Sequence, residues 1–395
     1  MFARYAVEKE AGVCYNIGMK FFHLSDLHLG KRVNEFSMLE DQQYILGKIC
    51  QMAAERRPAV VIIAGDVYDR PVPPVEAVKL FDGFLCSLTG MGIKVLVAGG
   101  NHDSSDRLSF AARLMEGSGV YIAPSYGGEM TKVPIADEYG TVNFYLLPFI
   151  KPAVVSHCFP EEQISGYTRA VEVAIARAGV DFGARNVLVA HQFVTGASRC
   201  ESEELSVGGT DNVDADVFKD FNYVALGHIH GPQNVAKNAR YCGTPLKYSF
   251  SEASHKKSVT EVTLDASGQA FFDVLPLIPR RDWKVLKGEY LQVTSAQSLK
   301  NLSQDDYYKV ILTDEEDIPE GMAKLRFFFP NIMAMEYDNA RTRAAVDAGE
   351  AGDVRGKSPL ELFKELYFRQ NGRQMTERTE AILTQIMDGI GGEGQ

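Results

Sequence analysis

Five apolar runs in this 395-residue sequence each end in side chains that bind divalent metals. The first is followed by Ser25, Asp26, Leu27 and His28, the second by Gly65, Asp66, Val67, Tyr68 and Asp69. The third leads into Gly99, Gly100, Asn101, His102 and Asp103, the fourth into His191, and the fifth into Gly227, His228, Ile229 and His230. Carboxylate, amide and imidazole donors without thiolate suit Mn²⁺, Fe²⁺ or Zn²⁺, with Mn²⁺ the first choice. Two such ions about 3.5 to 4 Å apart would share a carboxylate and turn a water between them into a hydroxide nucleophile, the chemistry of phosphoester hydrolysis. In extended backbone, residues i and i+2 point the same way, so Asp26 with His28, and His228 with His230, each form an expected half-site. Any one of these fragments arises by chance; their recurrence after five strands carries the argument. Of the other histidines, His23 lies inside the first run and reads as a core residue, whereas His157 and His255 read as surface residues.

Side chains so far apart in sequence converge only if a fold brings them together. Open α/β sheets do this in the crevice beyond the carboxyl ends of their strands. From Met19 to about Pro279 the expected strands are Lys20 to Leu24, Ala59 to Ala64, Lys94 to Ala98, Val142 to Leu147, Val187 to Ala190 and Tyr223 to Leu226. They are interleaved with helices such as Met38 to Arg56 and Tyr167 to Ala178. Arg240 to Cys242, Ser258 to Leu264 and Ala270 to Leu277 follow as strands. The expected organisation is an N-terminal extension (1–18), a main α/β domain (19–279), a small α+β cap (280–340), a linker (341–357) and C-terminal helices (358–395). Ser358, Pro359 and Glu361 supply a cap, a first-turn proline and a capping-box acid to the first of those helices, and a second is expected over Met375 to Met387.

Composition narrows the function classes. With 45% apolar residues the chain builds a sizeable core, and 52 acids against 41 bases leave a net charge of −11, so any polyanion site is local rather than global. The six cysteines contain no CxxC pair, which fits reduced thiols in a cytoplasmic protein. No run approaches the roughly 20 apolar residues of a membrane span, and the first residues lack the apolar core of a signal peptide.

The ordered set Asp-x-His, Gly-Asp-x-x-Asp, Gly-Asn-His-Asp, His and Gly-His-x-His resembles the calcineurin-like metallophosphoesterase superfamily, an α/β/β/α sandwich of four layers around two metals. That resemblance implies Asp26, His28, Asp66 and His230 around one ion and Asp66, Asn101, His191 and His228 around the other, with Asp66 bridging. It further implies His102 as the acid that protonates the leaving oxygen, oriented by Asp69, and Arg70 as a phosphate contact. A narrower resemblance, to the nuclease subunits of SbcCD-type complexes, rests on His23 to Gly30, Ala64 to Pro74, Tyr223 to His230, Tyr241 to Pro245, Lys247 to Glu252 and the turn Leu286, Lys287, Gly288. It implies an Mn²⁺-dependent nuclease acting 3′ to 5′ on duplex ends and cutting single strands and hairpins in DNA repair and recombination. It also implies a DNA-binding cap, a homodimer within a heterotetramer, and C-terminal helices that grip a long coiled-coil ATPase.

Lys31, Arg32, Arg70, Arg107 and Arg199 follow the catalytic motifs and are candidates to line a DNA track, with Lys31, Arg70 and Arg107 the expected substrate contacts. An alternative keeps the metals and changes the substrate to a phosphoprotein or small phosphoester. Asp103, where protein phosphatases of this kind carry Glu, speaks against it. A non-catalytic scaffold is the third reading, and the complete ligand set ranks it last.

Overall fold

The computed structural model describes residues 18–203, 211–347, 358–371, 374–376 and 378–384. Residues 1–17 of the expected extension (1–18), with Cys14, linker residues 348–357, and residues 377 and 385–387 of the second expected C-terminal helix lie outside the described residues, whereas Gly18 belongs to the first strand. The chain falls into two compact units, Met1–Arg280 and Arg281–Gln395.

The first unit contains two six-stranded sheets. One is built from β1 (Gly18–Leu24), β2 (Val60–Ala64), β3 (Lys94–Ala98) and β4 (Val120–Ile122), all parallel. The second sheet begins with β5 (Thr131–Asp137), β6 (Gly140–Leu147), β7 (Arg185–His191), β8 (Tyr223–Gly227), β9 (Gln233–Asn234) and β10 (Ala239–Tyr241). Its four central strands run parallel in the order β10-β8-β7-β6, with β9 and β5 antiparallel at the edges. The antiparallel pair β11 (Ser258–Asp265) and β12 (Ala270–Pro276) extends the first sheet beside β1.

Alternation along the strands sorts side chains into layers. Phe21, Ile62, Ala64, Leu96 and Ala98 from one sheet meet Val142, Phe144, Leu146, Val187 and Val189 from the other in a single buried cluster. The intervening residues of β6, Tyr145 and Leu147, face outward and pack under helix α3 (Tyr167–Arg177) with Val171, Ala174 and Ile175. On the outer side of the first sheet, α1 (Leu39–Arg56) and α2 (Val75–Gly90) pack against each other, and α2 lies on β3. Strands such as Val60–Ala64, buried at every residue, are continuous apolar runs because both faces are covered. The result is the expected four-layered α/β/β/α sandwich. Truncating a fully buried member such as Phe144 to Ala would cost about 3 to 5 kcal/mol.

The second unit has a parallel three-stranded sheet, β13 (Trp283–Gly288), β14 (Tyr307–Leu312) and β15 (Ile332–Tyr337), with α4 (Gly321–Phe328) crossing between the last two. Tyr308, Val310, Leu312, Leu325, Phe329 and Ile332 form its core. One expectation fails here: residues read as the start of a linker form helix α5 (Ala340–Asp347). Asn339 and Thr342 cap it reciprocally, the Thr342 N–H donating to Asn339 Oδ1 at 3.0 Å and the Asn339 N–H to Thr342 Oγ1 at 2.9 Å. That cap and the alanines outweigh the polar composition. Helix α6 (Pro359–Asn371) carries the capping box between Ser358 and Glu361, and residues 378–384 are helical. Among the described residues no helix is long and apolar enough to cross a membrane.

Candidate metal centre

The carboxyl ends of β1, β2, β3, β7 and β8 open on one side of the sandwich. Past the strands, the first two loops stay paired: the Asp26 N–H donates to Gly65 O at 3.0 Å and the His28 N–H to Asp66 O at 2.9 Å. The backbone there is not extended, as the half-site argument assumed. Asp26, His28 and Asp66 have φ of 53°, 45° and 48°, and His228 reaches 101°. Left-handed conformations in non-glycine residues cost on the order of 1 to 3 kcal/mol each and collect at functional sites. Convergence is thus imposed by strained turns held from outside. Gly100 and Gly65 allow the close approach, since a Cβ would stand 2.1 Å from Asp66 Oδ1 at Gly100 and 2.0 Å from His191 Nδ1 at Gly65, where φ is +89°.

His191 and His230 are each fixed by a bond on the side away from the centre, whereas buried His28 Nδ1 makes no hydrogen bond. His191 Nδ1 lies 2.9 Å from Ala64 O, and its Nε2 faces Asn101 Oδ1 at 3.0 Å and Asp66 Oδ2 at 3.3 Å. His228 Nδ1 also meets Asn101 Oδ1 at 3.0 Å, while its N–H donates to both Asp26 oxygens at 3.0 and 3.2 Å. His230 Nδ1 is bonded to Ser202 Oγ at 2.7 Å, leaving Nε2 3.2 Å from His28 Nε2. Asp66 Oδ1 accepts the His102 N–H at 2.9 Å, and Oδ2 stands 3.7 Å from His28 Nε2. Two ligands at right angles on an ion with bonds of about 2.1 Å lie about 3 Å apart. The donor spacing fits that geometry. Asp26, His28 and His230 form one group able to hold an ion, and Asp26, Asp66 and His191 another.

Burial and neighbouring charge divide the titratable groups. Burial alone would lower the His191 pKa, but the Asp66 carboxylate holds it up at about 9. His230 likewise rises against burial to about 10, held up by the adjoining Cys200 and Glu252 side chains, the latter with Oε1 3.5 Å from Nδ1. Burial drives His228 down to about 3 and keeps His28 low as well. Asp26 is pushed up to about 6 by burial, whereas imidazoles, His191 first, hold Asp66 low against it.

At the rim, His102 Nδ1 lies 3.1 Å from the main-chain oxygen of Asp69, so these two residues meet through the backbone. The Asp69 carboxylate receives Lys31 Nζ at 2.6 Å and stands 3.6 Å from His28 Nδ1. Lys31 is therefore ion-paired, whereas Arg70 is largely exposed with Nε 3.8 Å from Asp69 Oδ2. Arg107 Nη1 reaches Pro71 O at 3.4 Å.

Three acids have roles here that motif reading missed. Buried Asp103 accepts the N–H groups of Val67, Tyr68 and Gly100 at 2.9 to 3.1 Å, locking two of the loops together. Glu203 accepts the His230 N–H at 2.6 Å. Fully buried Glu252 joins Lys257 and, through Ser202 Oγ at 2.6 Å, the outer face of His230. Glu252 belongs to the segment Lys247 to Glu252 that carries the narrower resemblance, but only the folded chain brings it to His230.

Residues 279–371 match a domain described as the type 5 capsule protein repressor C-terminal domain. The chain is 28% identical over 379 residues to the SbcD component of the nuclease SbcCD from Staphylococcus epidermidis, an alignment covering 94% of this chain and 99% of that one. A solved dimetal phosphatase from Danio rerio aligns over 66% of this chain and 96% of its own, with 12% identity and a TM-score of 0.38. Residues 19–232, more than half of the sequence, match the calcineurin-like phosphoesterases, and the chain belongs to that family.

Proposed function

We propose that this chain is the metal-dependent nuclease subunit of an SbcCD-type complex, hydrolysing DNA phosphodiesters in the cytoplasm with a coiled-coil ATPase as partner. The observation that carries this reading is the buried set of inward-facing donors in which His28 Nε2 meets His230 Nε2 and Asn101 Oδ1 meets His191 and His228. The nuclease assignment is supported by the relative aligned over 99% of its length. Five free thiols among the described residues fit a reducing compartment.

In this reading Asp26, His28, Asp66 and His230 hold one ion, and Asp66, Asn101, His191 and His228 the other. Two divalent ions, Mn²⁺ by preference, supply Lewis-acid charge for the phosphoryl oxygens and lower the pKa of water. The protein's own proton comes from His102. Its Nδ1–H donates to Asp69 O, which leaves Nε2, 4.0 Å from Asp66 Oδ2, to carry the proton given to the leaving oxygen. Exposed Arg70 reaches the phosphate. Two copies of the chain act together in the complex, with the second unit contacting DNA and the C-terminal helices contacting the ATPase.

The test is digestion of end-labelled duplex and hairpin DNA in Mn²⁺ beside bis(p-nitrophenyl) phosphate and a phosphopeptide. Expected are 3′ to 5′ shortening and hairpin opening. Hydrolysis of the small esters with DNA left intact would replace this reading by the phosphatase alternative.

A further inference from the structure

Next to His230 the surface sinks into a cavity of about 390 Å³, whose walls include Arg199, Cys200, Gly231, Gln233, His255 and Lys256. Among the described residues no carboxylate lines it, although the chain as a whole carries 52 acids against 41 bases. Lys256 is exposed and has no hydrogen-bond or ion-pair partner among the described residues. Arg199 is held in place, its guanidinium 3.5 Å above the Phe193 ring and Nη2 3.2 Å from Asp211. His255, read from sequence as a surface residue, is about three-quarters buried; its Nδ1 makes no hydrogen bond and stands 4.0 Å from Glu252 Oε2.

Two side chains tie the cavity wall to the outer face of His230: Ser202, whose Oγ lies 3.1 Å from Cys200 Sγ and 2.7 Å from His230 Nδ1, and Glu203. Glu203 accepts the His230 N–H through Oε1 and the Cys200 N–H, at 2.9 Å, through Oε2. Gly231 follows His230 directly. The far wall is rigid, because the Ser198 N–H donates to Gln233 Oε1 and Gln233 Nε2 donates back to Ser198 O, both at 2.8 Å. A preformed, cation-lined hollow one residue from a metal-site histidine suits an anion covalently linked to whatever the centre attacks.

We propose that this cavity is a subsite for the phosphodiester neighbouring the scissile one, with Lys256 and Arg199 as its charged contacts and the His255 imidazole as a further polar contact. The inference rests on the nuclease reading and adds to it a defined position along the strand. A monoester or a small diester lacks the second phosphate and leaves the cavity unused. Positioning a strand at two phosphates instead of one selects a polynucleotide over a small phosphoester.

The test uses the full chain in Mn²⁺ and oligonucleotides carrying one neutral methylphosphonate at either link flanking the cleaved bond. With the unsubstituted protein, one of these neutralised links should raise KM about 5-fold. With Lys256→Ala, a change at an exposed side chain, the same link should cost little further, and the slope of log K against log salt should flatten by about 0.7 to 0.9. An equal penalty from the neutral link in both proteins, with an unchanged salt slope, overturns the subsite. Failure of the unsubstituted protein to cut any oligonucleotide while it hydrolyses bis(p-nitrophenyl) phosphate overturns the nuclease reading, and the subsite with it.

Discussion

His28 Nε2 and His230 Nε2 lie 3.2 Å apart although 202 residues separate them in sequence. Burial holds the pKa of His28 low, whereas His230 keeps its second proton up to about 10 and His191 up to about 9. Both values lie above the roughly 6.5 of a free imidazole. In the metal-free protein, therefore, the stability these protons confer is fully present below about 6.5 and is lost as pH rises through about 9 and 10. A cation needs the same lone pairs and must expel the protons. At pH 8, binding of Mn²⁺ should release up to two protons and tighten as pH rises. Titration calorimetry in buffers of different ionisation enthalpy measures this, and heats independent of buffer would contradict it.

Asp66 holds the loops and the proposed ions at once. Oδ1 is committed to the His102 N–H, so Oδ2 alone faces His191 Nε2 and His28 Nε2. Replacing Asp66 by Ala should remove both ions, because in the proposed ligand set its carboxylate serves both positions. Metal analysis after gel filtration reads the outcome directly; a variant that still carries two ions per chain refutes the bridge.

Much of this was legible in the sequence for a simple reason. Strands buried on both faces, such as Val60–Ala64 and Tyr223–Gly227, are continuous apolar runs, and their ends mark where ligands must sit. Less legible was the path of the backbone at those ends. The left-handed turns at Asp26, His28, Asp66 and His228 are set by contacts between distant loops, and those contacts leave no local pattern. Asp103, Glu203 and Glu252 escaped for the same reason, since each acts on a partner that only the fold supplies. Helix α5 is hidden because the loop-like composition that follows it outweighs, in sequence, the short cap formed by Asn339 and Thr342.

His102 stands at the rim of the centre, with Nδ1 tied to Asp69 O and Nε2 4.0 Å from Asp66 Oδ2. Asn in its place retains a polar side chain but has no proton to give near neutral pH. His102→Asn should keep its metal content while hydrolysis falls roughly 10²-fold or more, the usual contribution of a general acid. Turnover at the original rate would remove His102 from the chemistry.

Glu252 is buried completely, and its carboxylate is held below the usual range, against burial, by His230 and Lys257. A depressed carboxylate contributes stability that is present above its unfolded pKa of about 4.3 and lost as pH falls. Glu252→Gln leaves the Lys257 ammonium buried without its countercharge and so should cost about 3 to 5 kcal/mol at neutral pH. Urea denaturation of the two proteins, repeated toward pH 3, should show the gap narrowing as the native carboxylate loses its advantage; a gap below about 1 kcal/mol at pH 7 would mean that Lys257 finds another partner.

Helix α6 leaves Phe363, Leu366 and Phe368 more than two-fifths exposed, apolar area that an isolated helix of this length cannot bury alone. Its start is well defined, because Ser358 Oγ accepts the Glu361 N–H at 3.3 Å while the Glu361 carboxylate receives the Ser358 N–H at 2.7 Å. A capped helix with exposed aromatic residues fits the proposed ATPase contact. Deleting the chain from Ser358 onward should therefore abolish co-purification with a coiled-coil ATPase while metal content and hydrolysis of bis(p-nitrophenyl) phosphate persist, since every proposed ligand lies between Asp26 and His230. Undiminished capture of the ATPase by the truncated chain would move the contact elsewhere, and the single change Phe368→Asp, which introduces a charge on the same helix, should weaken capture in the full-length protein if the helix itself makes the contact.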